Sequence, residues 1–283
     1  KWEKKIYFDY LWLGINKGAQ ELKGLNIEIS PFVCDNEEEQ LAQLKEIADK
    51  GPNEYGGVIT ISFTRASEVL MQFQRMLAKD MRVLVIDDHI EIPEGLISIP
   101  PREIQVGKVA AELAALITQG KGRILVSCGR KDSKIHEGRL ESFCNYIKEN
   151  KPELIIELVT GYTRNMDHRG ELYKNVCEAL DKYSDICLIY ALTSHDNRAF
   201  VEALEKYGNN KKVAIIGTDL NEETLEFLKK KRMSAVIDQN PYDKGYMAFK
   251  IMVDCLIKNI SVPDVIPCRI DIALENNADP YAD

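Results

Sequence analysis

The chain has 283 residues, of which 45% are hydrophobic and 29% charged, and its formal net charge at pH 7 is −8. This length suggests one or two domains with sizeable cores, in a composition ordinary for a globular protein. The acidic balance argues against a face that holds nucleic acid and against an anionic membrane as partner. The longest apolar runs are too short to cross a bilayer, and no signal peptide is visible at the start of the chain.

The seven cysteines indicate a reducing compartment and no metal site. Their number is odd, no two form a C-x-x-C pair, and several lie inside apolar runs. Such cysteines are typical of buried, reduced thiols in cytosolic proteins, whereas a zinc site needs paired ligands at short spacing. We therefore predict a cytoplasmic protein without a bound metal.

Short apolar runs alternate about eight times with amphipathic stretches, a pattern typical of parallel strands covered by helices on both faces. In chain order the pattern predicts helix 11–22, strand 25–34, a helix from the Asn36 cap to about Gly51, strand 57–62, helix 66–80, strands 82–87 and 96–99, helix 104–118, strand 123–128, helix 136–150, strand 154–160, helix 169–183, strand 186–192, helix 195–207, strand 212–218, helix 222–232, strand 234–238, helix 242–258 and an extended segment 262–272. The acidic tail 273–283 is expected to be loose.

These strands are too numerous for one ordinary sheet, so we expect two sheets of about five or six strands. The first is centred on residues 1–98 and the second on residues 100–236. Pro100-Pro101 marks the crossing, because this rigid pair cannot continue a central strand. Two such α/β lobes leave a cleft between them, and domain interfaces are favoured ligand sites.

No catalytic signature is present: the sequence has no phosphate-binding loop, no dinucleotide fingerprint and no nucleophile elbow, and its four histidines are scattered. We therefore predict neither an enzyme nor a cofactor. Ligands of parallel sheets bind at the carboxyl ends of strands. Polar residues that follow the predicted strands either cap the next helix or bind a ligand with many hydroxyls; as a set we favour the ligand. These segments are 62–64, 87–88, 129–131, 194–196, 218–219 and 238–240.

Several short motifs, in the expected order, resemble the effector-binding region of LacI/GalR-type transcription regulators. The motifs are Tyr7-Phe8 with Gly14-Ile15 and Gly18-Ala19, the strand end Val85–Asp87, Val106–Ala111, Glu137–Phe143, His195–Phe200, Gly217–Asp219, and Gln239–Tyr242 with Gly245. The resemblance covers nearly all of residues 7–272. That region is a branch of the type 1 periplasmic-binding-protein fold.

The resemblance implies an α/β fold of two doubly wound parallel-sheet lobes joined by a multi-strand hinge. Residues 1–98 and 239–260 would form the N-terminal lobe, and residues 99–238 and 261–283 the C-terminal lobe. A small polar effector, with a sugar as first choice, would bind in the cleft between the lobes. The implied ligand-binding residues are Phe8, Ser62, Asp87, Arg139, His195, Asp219 and Gln239.

Some positions depart from the pattern of the resembled family. His195 stands where Asn is usual, Ser142 where Gly is usual, and Arg102 where Asp is common. The family begins with a strand before the Tyr7-Phe8 position, but only six residues precede Tyr7 here. The DNA-binding head of such regulators is also absent from this sequence, so DNA would be bound only through an N-terminal domain outside it.

The main hypothesis is the sensing and dimerising domain of a sugar-responsive regulator, in which ligand closes the lobes and shifts a two-state equilibrium. Its partners would be the small-molecule effector and a second copy in a homodimer, with no membrane. The alternative is an extracytoplasmic solute-binding protein or a receptor sensor domain for a sugar. An enzyme on this scaffold is a third alternative, because fold alone does not exclude catalysis.

Overall fold

The structure, a computed structural model, describes residues 6–61, 66–87, 93–131, 133–161, 170–206 and 212–278. The chain divides into two compact units: unit 1 contains Lys1–Pro101 and Asn240–Arg269, and unit 2 contains Arg102–Gln239 and Ile270–Asp283. The chain therefore passes between the units three times. The α/β class with parallel sheets in two lobes is confirmed.

Almost every predicted helix and strand has a counterpart in the structure. The helices are α1 (Ile6–Glu21), α2 (Glu37–Lys50), α3 (Ala66–Leu77), α4 (Glu103–Thr118), α5 (Lys134–Asn150), α6 (Glu171–Lys182), α7 (Asn197–Lys206), α8 (Glu222–Lys229) and α9 (Pro241–Ile257). The strands are β1 (Gly57–Thr60), β2 (Arg82–Ile86), β3 (Leu96–Ile99), β4 (Gly122–Ser127), β5 (Leu154–Val159), β6 (Ile186–Tyr190), β7 (Ala214–Thr218), β8 (Ala235–Asp238) and β9 (Asp271–Ala273). Among the described residues, no helix has the length and apolar character needed to cross a bilayer.

In unit 1 the described strands form a parallel sheet in the order β1-β2-β3. Alternate residues of β2 point to opposite faces. Val83 and Val85 pack with α2 and α3, whereas Leu84 and Ile86 pack with α1 and α9. Helices on both faces explain why β2 reads as an unbroken apolar run.

Two expectations for unit 1 are wrong. Its described sheet has three strands where we expected five or six. Residues 26–34, predicted to be strand, follow a short 3-10 helix (Lys23–Leu25) and have no strand among the described residues. The alternation there has another physical cause, because Ile27 and Ile29 pack against the core formed by α1 and α9 without joining a sheet.

The last crossing also differs from the expected lobe boundary. Residues 261–269, assigned above to the C-terminal lobe, belong to unit 1. The Ile266 N–H donates to the Ser98 carbonyl oxygen at 2.8 Å, and the Ser98 N–H donates to the Asp264 carbonyl oxygen at 2.7 Å. This segment therefore runs beside β3 and continues the sheet edge of unit 1.

Unit 2 contains a sheet in the order β5-β4-β6-β7-β8-β9, parallel except for β9, which is antiparallel to β8. Helices α4 and α5 cover one face, and α6, α7 and α8 cover the other. The tail expected to be loose is partly ordered, because it contributes the end of β9 and the buried Ala278. The sheet places the carboxyl ends of β4, β6, β7 and β8 along one edge, where the polar segments identified in the sequence begin.

Candidate functional site

Three residues that lie one or two positions after strands turn the chain sharply through the left-handed backbone region. Asp87 after β2 has φ 52°, Asp219 after β7 has φ 63°, and Asn240, two residues after β8, has φ 54°. Asp and Asn adopt this conformation more readily than other non-glycine residues. The turns place polar side chains at the carboxyl edges of both sheets.

In unit 2, Arg139, Gln239 and Asp219 form a continuous hydrogen-bonded chain. Arg139 lies on α5 and is 3% exposed. Its Nη1 donates to the Leu192 carbonyl oxygen at 2.6 Å, and its Nη2 donates to Gln239 Oε1 at 2.8 Å. Gln239 Nε2 donates in turn to Asp219 Oδ1 at 2.7 Å. One guanidinium thus ties a helix to the ends of two strands.

Close packing of α4 on α5 fixes the position of Arg139. A Cβ on Gly107 would collide with the Arg139 carbonyl oxygen and with Ser142 Oγ, so only glycine allows this approach. The Ser142 hydroxyl donates to the Arg139 carbonyl oxygen at 3.0 Å. The serine at the unusual position is therefore accommodated by the glycine opposite it.

One nitrogen of the Arg139 guanidinium, Nε, is not part of this hydrogen-bonded chain. It is buried and has no hydrogen-bond partner among the described residues. A buried polar group without a partner costs free energy, which a ligand oxygen would recover.

Nearby, the Tyr190 ring stacks on Phe143 with centroids 4.9 Å apart, and burial raises the pKa of Tyr190 to about 12. Tyr190 was not predicted; it is the polar end of an apolar run.

Asp196, which follows the predicted His195, is a structural tie. It is almost fully buried, and it accepts hydrogen bonds from Ser127 Oγ at 2.7 Å and from the Thr193 N–H at 3.3 Å. Burial raises the pKa of its carboxyl group. His195 itself is exposed in a short 3-10 helix. The structure does not bring it into the described Arg139–Gln239–Asp219 chain.

Unit 1 holds a second polar cluster at the end of β2. The Tyr7 hydroxyl on α1 donates to Asp87 Oδ2, and Lys244 Nζ on α9 donates to Asp87 Oδ1 at 2.7 Å and to the Tyr7 hydroxyl at 3.0 Å. Lys244 is 2% exposed. Neither Lys244 nor Tyr7 was predicted as a site residue, because a lone lysine on a helix is usually solvated.

Helices α1 and α9 lie close enough for Tyr7 to contact Lys244 because each helix has a glycine where it meets the other. A Cβ on Gly14 would collide with the Tyr242 carbonyl oxygen, and a Cβ on Gly245 with the Leu11 carbonyl oxygen. The glycines therefore allow the two backbones to come together, which brings the side chain of Tyr7 within reach of α9.

Two predicted residues remain. Phe8 is 42% exposed on α1, edge-on to the Tyr7 ring with centroids 5.9 Å apart. Ser62 lies outside the described residues. The structure thus joins Arg139, Asp219 and Gln239 in unit 2 and places Asp87 in unit 1. Within the part of the chain that the structure describes, His, Cys, Asp and Glu side chains form no cluster suited to a metal ion.

Comparisons with known proteins give a consistent set of relatives. The chain is 24% identical over 254 residues to the D-allose-binding periplasmic protein of Escherichia coli (strain K12), covering 86% of this chain and 79% of that protein. A periplasmic solute-binding protein of an ABC transporter from Actinobacillus succinogenes 130z, solved with D-allose, matches with a TM-score of 0.84 and 16% identity, covering 99% and 97%. A sugar-binding protein of a sugar ABC transporter from Bacillus halodurans matches with a TM-score of 0.81 and 17% identity, covering 97% of this chain and 95% of that protein.

These relatives overturn two predictions. The role as a LacI/GalR-type transcription regulator and the cytoplasmic location are both wrong, because the relatives are periplasmic or transporter-associated binding proteins. Some of the motifs behind the resemblance, such as Gly217–Asp219 and Gln239–Tyr242, lie at strand ends and helix starts of the shared fold. They therefore predicted the fold correctly, but they do not distinguish transcription regulators from binding proteins that share this fold.

There is a physical reason why the cysteines were a poor guide to the compartment. All seven are free thiols. Burial raises the pKa of the thiols of Cys128, Cys144, Cys187, Cys255 and Cys268. A raised pKa lowers the fraction of reactive thiolate, so unpaired cysteines in such surroundings do not by themselves indicate a reducing compartment.

The family assignment rests on a match over most of the chain. The sequence profile of the periplasmic binding protein domain matches residues 1–259. The two units, their parallel sheets and the polar clusters at the strand ends agree with that match. The chain belongs to the family of periplasmic binding protein domains.

Proposed function

We propose that this protein binds a sugar outside the cytoplasm and releases it unchanged. The observation that carries the proposal is Arg139, a buried guanidinium held by Leu192 and Gln239 with its Nε still unbonded among the described residues. A side chain so firmly fixed and so incompletely satisfied is suited to a ligand oxygen.

The neighbouring groups fit a molecule with adjacent hydroxyls. A hydroxyl both donates and accepts, arginine only donates, and a carboxylate only accepts. Arg139 and Asp219 are linked through Gln239, so a donor and an acceptor are held in one rigid set. Adjacent sugar hydroxyls can use both, with charge-assisted hydrogen bonds that are shorter and stronger than neutral ones.

The relatives support this class of ligand. The Escherichia coli relative is named for D-allose, and the Actinobacillus succinogenes protein was solved with it. By the same likeness we propose the membrane components of a sugar transporter as partner. The predicted homodimer stays a prediction. The residues Phe8, Ser62, Asp87, Arg139, His195, Asp219 and Gln239 are carried forward as proposed ligand contacts, with Arg139, Asp219 and Gln239 first.

A sugar screen tests the proposal. Purified protein is melted with D-allose, D-ribose, L-arabinose, D-glucose and D-galactose, and hits are measured by calorimetry. A ligand at 100 times its Kd stabilises a protein that binds it only when folded by about 2.7 kcal/mol, which raises the melting temperature clearly. The sugar should be recovered chemically intact after incubation. An unchanged melting temperature with every sugar would refute the ligand class. Chemical conversion of the sugar would support the enzyme alternative.

The proposed location has its own test. The full-length protein, tagged at its C-terminus, is expressed in its natural host or a close relative, and external protease is added to cells whose outer barrier has been removed. Digestion of the tag, with a cytoplasmic marker intact, supports a location outside the cytoplasm. Protection equal to that of the marker would contradict it.

A further inference from the structure

The buried ion pair of unit 1 is unexplained by the fold alone. Lys244 and Asp87 have side chains that are 3% and 11% exposed, with Nζ and Oδ1 2.7 Å apart. Taking two charges out of water is costly, and apolar side chains of similar size often stabilise a protein equally well or better. A structural role is therefore a weak reason for placing a lysine here.

The geometry leaves Asp87 with capacity to bind. A carboxylate has about four acceptor sites, and here Tyr7 uses one on Oδ2 and Lys244 one on Oδ1. Asp87 is also more exposed than Lys244. A group that reaches the ion pair therefore meets the Asp87 carboxylate before the Lys244 ammonium, and two donors already fix the orientation of that carboxylate.

The ion pair also sets the local charge. Lys244 compensates Asp87, and the adjacent Asp243 is paired with Arg269 at 3.1 Å. Among the described residues the cluster therefore has no excess charge; Asp88 and His89 lie outside them. An unpaired carboxylate would attract a cationic ligand, whereas an ammonium group beside it repels one.

We infer that Lys244 is a positioning and specificity residue, which orients Asp87 to accept the hydroxyls of an uncharged sugar and disfavours sugars that carry an ammonium group. The inference rests on the proposed function and on Asp87 as a ligand contact. It assigns the acceptor role to Asp87 and the exclusion of cations to Lys244, through Asp87 and without direct contact.

Opposite charge changes at the two positions give the test. Lys244→Met leaves the carboxylate unpaired, and Asp87→Asn leaves the ammonium unpaired. Calorimetry measures the affinity ratio of D-glucose to D-glucosamine and of D-galactose to D-galactosamine, at a pH where the amino groups are protonated. Lys244→Met should shift the ratio toward the amino sugar by about tenfold or more, and Asp87→Asn should shift it the other way.

Three further variants separate charge from folding. Lys250→Met removes a lysine from the same helix, away from Asp87, where Lys250 lies near the Tyr246 ring, and should leave the ratio unchanged. Lys244→Arg keeps the charge and should keep the preference for neutral sugars. The double variant Asp87→Asn/Lys244→Met removes both charges and should fall between the single variants.

The outcomes separate this inference from the proposed function. Wild-type protein that binds none of these sugars or those of the first screen refutes the proposed function, and the inference with it. Sugar binding with ratios that shift in the same direction, or do not shift, in Lys244→Met and Asp87→Asn overturns the inference alone. If Lys244→Met fails to fold, Asp87→Asn and Lys244→Arg decide the question: Asp87→Asn should favour the neutral sugar more than wild type does, Lys244→Arg should match wild type, and an unchanged ratio in Asp87→Asn overturns the inference.

Discussion

Replacing Arg139 by lysine tests the candidate site while keeping its charge. Lysine is a point charge on a flexible stem, whereas the guanidinium is a rigid fork with five donors. The fork contacts Leu192 and Gln239 at the same time. A lysine at this position reaches one of these acceptors and leaves the other unsatisfied, and it has no counterpart to the free Nε.

The magnitude follows from the bonds that are lost. A hydrogen bond to a charged group contributes about 1.5–3 kcal/mol, so the loss of one should lower the free energy of unfolding by about that amount. Unit 2 has the size for which 1 kcal/mol shifts the melting temperature by about 2–4 °C. The loss of the Nε donor should weaken sugar binding by a similar free energy, which is about tenfold or more in Kd.

Calorimetry with the best sugar of the screen and urea unfolding measure the two effects separately. Arg198→Lys is the matched control, because Arg198 is an exposed arginine paired with Glu223 and lies outside the network. It should change neither quantity by more than about 0.5 kcal/mol. Unchanged affinity for Arg139→Lys, measured on folded protein, would remove Arg139 from the ligand site even if the stability had fallen.

Three other predictions concern the framework. Gly14→Ala should destabilise unit 1 by about 1–3 kcal/mol through its collision with Tyr242, while Gly24→Ala, which meets no atom within 4 Å, should not; urea unfolding compares them. Asn36→Ala should cost about 1 kcal/mol in the same assay by removing the cap on the Glu39 N–H, and an unchanged midpoint would exclude the cap. Because burial raises the pKa of Asp196, its contribution to stability is fully present below about pH 4 and is lost as the pH rises through the folded-state pKa. Asp196→Asn should therefore gain stability relative to wild type as the pH rises, and parallel pH profiles would contradict this.

Hydrophobic periodicity was sufficient to predict most of the fold. The strands and helices of unit 2 appear within a few residues of their predicted bounds, because each buried strand is an apolar run and each helix has one apolar face. Residues 26–34 show the limit of this signal. Alternation predicts an apolar face, but a strand also needs a neighbour with which to form backbone hydrogen bonds.

The candidate site was partly predictable for a related reason. Asp219 and Gln239 directly follow strands, so their place at the sheet edge follows from the topology. Lys244 was out of reach of such reasoning, since its burial depends on glycines on two helices far apart in the sequence. His195 shows the reverse case, in which a position inferred from a motif has an exposed side chain.

The two polar clusters differ in what must be folded before they can form. The main part of unit 2 is one continuous stretch, Arg102–Gln239, which already contains Arg139, Asp219 and Gln239. Unit 1 needs α9, which comes after all of that stretch in the chain, and Tyr7 and Lys244 are 237 positions apart. Contacts of such separation carry a high entropic cost of loop closure. The ion pair of unit 1 should therefore form late, after unit 2 can already be folded, and truncation before α9 should abolish the Asp87 cluster while leaving the Arg139 network able to form.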